Sequence, residues 1–74
     1  MQNKYHEINN EIEIDFEIPE MLKNLMEEAE EADIRNDGSY DNLADTIDVL
    51  SKNYYADRKL TLAQWETIVR RYPQ

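Results

Sequence analysis

Glu11, Glu13, Asp15 and Glu17 occupy every second position of the octapeptide Glu-Ile-Glu-Ile-Asp-Phe-Glu-Ile. On an extended chain such a row places a carboxylate about every 6.6 Å, a pattern suited to binding cations or a basic surface. Duplex DNA presents a charge about every 1.7 Å of its axis. One row is therefore a sparse imitation of nucleic acid and needs a second to approach that density. Asp41, Asp45 and Asp48, at helical spacing, provide one. Together these residues are the expected contact set for a basic protein partner. The plainer reading of the octapeptide row is an extended edge kept from aggregating by its charge.

Other reactive residue types lack the company that chemistry needs. His6 is the only imidazole, with Glu7 beside it and no second His at ligand spacing. Ser39 and Ser51 lie outside any nucleophile-elbow pattern, and Ser39 reads as a helix cap. The stretch from Asp33 to Gly38 resembles the start of a calcium loop. Its register, however, puts Arg35 at the third position and Ala44 at the twelfth, where calcium needs oxygen ligands. A second echo, around Asp57 to Leu62, puts Arg58 where the invariant Gly belongs and Gln64 where the bidentate acid belongs. The chain has no Cys, so a thiolate site, a thiol nucleophile and a disulfide are all excluded. No nucleophile, base and orienting group can be assembled, so no enzyme, cofactor or metal centre is expected.

Alternation of the octapeptide predicts a strand over residues 11–18, with Ile12, Ile14, Phe16 and Ile18 on one face. A strand must pair. Residues 4–8 could supply the partner through a loop at Asn9 and Asn10 that sets Ile8 opposite Ile12, or a second copy of the chain could. Pro19 and Glu20 open a helix that runs to about Asn36, with Leu22, Leu25, Met26, Ala29 and Ala32 as its apolar stripe. Gly38 is expected to supply the left-handed residue of the turn after it. A second helix spans about Tyr40 to Tyr55, its stripe being Tyr40, Leu43, Ile47, Leu50 and Tyr54. Thr61 and Gln64 form a capping box for a third, with Leu60 and Trp65 as its staple, Leu62, Trp65, Ile68, Val69 and Tyr72 as its stripe, and Pro73 closing it. The fold expected is mainly α: one domain over residues 1–74, with an N-terminal strand or hairpin segment (1–18) on a three-helix core (19–74) centred on Trp65.

Charge narrows the function classes. Residues 1–50 hold fifteen Asp and Glu against Lys4, Lys23 and Arg35, a net of −12, while residues 51–74 carry +3, giving −9 in all. That surface repels nucleic acid and anionic lipid. No signal segment or membrane span is visible, so a cytoplasmic protein is expected. The cluster Glu27, Glu28, Glu30 and Glu31 reads first as a solvated helix face. Arg58, Lys59, Arg70 and Arg71 form a basic end too sparse to signal nucleic-acid binding. Abundant Asn, Ile, Lys and Tyr with one Gly and two Pro resemble products of AT-rich bacterial genomes and their mobile elements. The expectation is a non-enzymatic acidic protein that engages a basic protein partner. An inhibitor or regulator that covers a nucleic-acid-binding site, encoded by a phage or mobile element, fits the size and charge. The alternative is a homodimer or accessory subunit whose acids serve only solubility.

Overall fold

Three helices arise where the apolar stripes place them: α1 (Glu20–Ile34), α2 (Tyr40–Ala56) and α3 (Leu62–Arg71). A computed structural model describes residues 5–73 of the chain. Pro19 occupies the cap position of α1 with φ −54°, and Glu20 places a carboxylate in its first turn. At α3 the Thr61 hydroxyl accepts from the Gln64 amide while the Gln64 side chain accepts from the Thr61 amide, the complete capping box.

Helices α1 and α2 end in the same backbone device. The Asp37 amide donates to the Ala32 carbonyl and the Asn36 amide to the Asp33 carbonyl. At the end of α2, Lys59 and Arg58 repeat this pattern on Tyr54 and Tyr55. Both are Schellman endings, which need a left-handed residue. Gly38 was the expected provider after α1, but Asn36 (φ 55°) takes that position, and Arg58 (φ 63°) takes the one after α2. Asn reaches this region through its short polar side chain, whereas Arg gains no such help. Ser39 stands at the cap position of α2 without capping it. Its amide donates instead to the Asp37 side chain.

The core gathers Leu22, Met26, Ala29 and Ala32 from α1, Tyr40, Ala44 and Ile47 from α2, and Ile68 and Tyr72 from the end of the chain. Trp65 is not its centre. It is half-buried at the edge, stacked on Tyr55 at 5.1 Å between ring centroids. Leu62 and Val69, also expected in the stripe, are exposed. With only ten residues, α3 turns a narrow face to the core: Ile68 is its buried residue, and Tyr72 is buried just beyond it at the cap position.

Helix α2 packs against both α1 and α3, whereas the backbones of α1 and α3 stay apart and the two helices meet through the side chains of Glu30 and Arg71. Residues 5–18 link them as a strap. Ile8 is buried with the core, and Ile14, Phe16 and Ile18 pack against it. The expected strand or hairpin is absent among the described residues: the strap carries no ladder and bends at Phe16. Lys4, the first residue of the expected partner strand, lies outside the described residues. The alternation of faces nevertheless holds, with Glu11, Glu13, Asp15 and Glu17 exposed and the intervening apolar residues half-buried. Burial of one apolar row against helices is enough to enforce that alternation without any partner strand.

Candidate functional site

Two anchors fix the strap. The first is Asp33, only 2% exposed, in the last turn of α1. Its carboxylate accepts from the backbone amides of His6 (3.0 Å), Glu7 (2.9 and 3.0 Å) and Ile8 (3.0 Å). Successive amides converging on one anion form a nest, which satisfies a charge that burial would otherwise penalise. The same contacts explain the calcium-like stretch: Asp33 points into the strap, and Asp37 is occupied by the turn.

The second anchor is Arg71. Its Nη1 donates to the Ile12 carbonyl at 2.7 Å, Nη2 pairs with Glu30 at 3.7 Å, and Nε donates to the Tyr72 hydroxyl at 3.3 Å. The Arg71 carbonyl in turn accepts from the Asn9 amide at 2.9 Å. Glu30 also accepts from the hydroxyls of Tyr5 and Tyr72, each at 2.9 Å. Burial pushes the Tyr72 phenol well above its ordinary pKa, with Glu30 adding to the effect. Burial works against the Arg71 charge, but its contacts with Tyr72 and Glu30 outweigh this and raise its pKa. The cluster joins the strap, α1 and the chain's last helix.

Held this way, the strap forms one wall of a groove of about 1190 Å³ whose other wall is α1. Glu13, Asp15 and Glu17 line the strap side, and Glu20, Glu27 and Glu30 line the helix side. Lys23 and Arg71 are the cations in the lining. Arg71 and Glu30 are engaged with each other. Among the described residues, Glu13, Asp15, Glu17, Glu20 and Glu27 have no hydrogen bond or ion pair through their carboxylates. The groove thus combines two rows of uncommitted anions over a floor that includes Met26 and Tyr72.

The remaining expected contact residues do not share it. Glu11 is exposed beyond one end of the row, outside the groove lining. Asp41 and Asp45 are exposed on α2, and Asp48 is half-buried beside Trp65, Val69 and Arg70 in a shallow depression of about 350 Å³. There the Trp65 Nε1 is buried without an acceptor. The acids expected as one contact set therefore divide between two places. The second row of the groove comes from α1: Glu27 and Glu30, expected on a solvated face, and Glu20, expected only to open the helix.

Among the described residues, no group of His, Asp and Glu is placed to hold a metal ion. No helix among them is long and apolar enough to cross a membrane. No protein-family model matches the chain, and neither a curated protein nor a solved structure shows significant similarity to it.

Proposed function

We propose that this is a non-enzymatic binding protein whose strap-and-α1 groove engages a basic surface of a protein partner. One observation carries the reading: uncommitted carboxylates line both walls of one groove, and half-buried apolar residues packed on the core hold one wall in place. Side-chain acids with no internal partner contribute little to stability at a surface. Concentrated along one groove, they create a field that steers cations toward it and rejects other anions. A basic site evolved to hold phosphates is the complementary target, so occupancy by this protein would exclude nucleic acid from it. The finer assignment is an inhibitor or regulator acting in the cytoplasm on behalf of a mobile element. It rests on size, charge and composition.

The test uses the partner captured from the host by the intact protein. Reversing Glu13, Asp15 and Glu17 to Lys should cut affinity and association rate, and salt should weaken binding of the parent. Reversing Asp41, Asp45 and Asp48 probes the other acid row separately. Arg70→Glu is the control at the basic end, because Arg71 anchors the strap. Binding that ignores salt and survives reversal of the groove acids would refute the proposal. It would favour the accessory-subunit reading, in which the exposed Leu62 and Val69 of α3 form the contact.

A further inference from the structure

We infer that the groove takes an extended basic segment of the partner, which pairs its main chain with residues 13–18 of the strap. This deepens the acidic-groove reading and rests on it. The backbone supplies the observation. Among the described residues, no amide or carbonyl from Glu13 to Ile18 has a hydrogen-bond partner. The neighbours on either side are satisfied: the Ile12 amide donates to Asn9, the Ile12 carbonyl accepts from Arg71, and the Pro19 carbonyl accepts from Lys23. The chain therefore leaves one continuous stretch of unpaired backbone, and that stretch forms a wall of the groove. Unpaired extended backbone is the template that strand-adding complexes use. The bend at Phe16 divides it into two short pairing stretches rather than one straight ladder.

The side chains specify the occupant. An added strand places alternate residues beside Glu13, Asp15 and Glu17 on the outer face, and the others beside the row Ile14, Phe16 and Ile18. The complementary segment therefore alternates Lys or Arg with apolar residues. A second copy of this chain fits poorly, because its own octapeptide would set acids beside acids, and like charges directly opposite are destabilising. Glu20 and Glu27 across the groove add to that repulsion and to the attraction for a cation.

The probe is the synthetic peptide Lys-Val-Lys-Val-Lys-Val-Lys, titrated into the intact protein and compared with its analogue methylated at every backbone nitrogen. Amide exchange of residues 13–18 is followed by NMR in parallel. The expected result is slowed exchange at these amides on adding the parent peptide, with the methylated analogue binding about tenfold or more weakly, as loss of main-chain bonds requires. If the two peptides bind alike, or if these amides gain no protection from the parent peptide, main-chain pairing is wrong while the acidic groove stands. If neither peptide binds, both readings fail. If the same amides are protected in the free protein at high concentration and sedimentation shows a dimer, the occupant is a second copy and the inference is overturned.

Discussion

Removing the Asp33 carboxylate should detach the strap. Asp33 sits in the last turn of α1, where the helix dipole disfavours an anion by about 0.3–1 kcal/mol. Viewed from the helix alone, Asp33→Ala should be mildly stabilising. The nest reverses that sign. The carboxylate accepts three successive backbone amides at 2.9–3.0 Å. The exposed His6 and Glu7 can recover water, but the Ile8 amide is buried and would be stranded at a cost of about 1–3 kcal/mol. If the strap lifts instead, the Ile8 side chain loses burial worth about 1.5–3 kcal/mol. Adding the lost charge-assisted bonds, Asp33→Ala should cost about 3–5 kcal/mol. Domains of this size have about 4–11 kcal/mol of stability in total. Asp33→Asn keeps the shape and one acceptor and should cost about 1–2 kcal/mol. Urea unfolding measures both, and amide exchange at residues 6–8 reports whether the strap is released. An alanine variant within about 0.5 kcal/mol of the parent, with those amides still protected, would refute the nest as an anchor.

Alkaline pH should unfold the protein through its buried phenols. Tyr40 and Tyr72 have pKa values raised above the ordinary value of 10, first by burial. The unfolded chain therefore releases these protons first, and stability falls as pH rises above about 10, by up to about 1.4 kcal/mol per pH unit for each group. Melting temperatures across that range check this, and Tyr72→Phe should flatten the slope. Arg58→Gly should stabilise by about 0.5–1 kcal/mol, since Arg58 holds φ 63° without a side-chain reason, and thermal unfolding reads the gain. A loss would show that the Arg58 side chain contributes more than its backbone costs. Trp65→Ala should cost about 1–3 kcal/mol rather than the larger loss of a central core aromatic, because Trp65 is half-buried and its indole N–H has no acceptor. Calorimetry showing a loss near 5 kcal/mol would restore Trp65 to the core.

The helices were legible because their signals are local. The capping box at Thr61, the Pro19–Glu20 start and the stripes of α1 and α2 each state a boundary or a face within a few residues. The octapeptide alternation was also a true statement about faces, since the apolar row packs on the core and the acids point out. Strand pairing did not follow from it, because period-two burial needs only an apolar surface beneath, which helices supply as well as a sheet does. The anchors were not legible. Asp33 and Arg71 reach residues 25–59 positions away in sequence, and no short-range pattern encodes such contacts. One signal did exist: Asp33 is an acid in the last turn of a helix, with no basic residue there to offset it. A residue that opposes its own helix dipole needs a partner from elsewhere. The acids of α1 were likewise read as a solvated face because the wall opposite them belongs to the strap.

The same charges that define the groove also act against its assembly. Docking the strap brings Glu13, Asp15 and Glu17 toward Glu20 and Glu27, and Lys23 is the lining cation not already engaged with Glu30. In a chain of net charge −9 this repulsion favours release of the strap, and the apolar row, the Asp33 nest and the Arg71 contacts must exceed it. A basic occupant of the proposed kind would cancel that repulsion, so its binding and strap docking would be coupled, and the coupling would appear in its affinity and hence in how far it stabilises the fold. Salt separates the two effects. Screening weakens the repulsion within the free protein and should raise its melting temperature, while it also weakens capture of a basic partner. Surface acids serving only solubility would give the first response without the second. A free protein destabilised by added sodium chloride would show that the groove acids are not the dominant electrostatic strain in the fold.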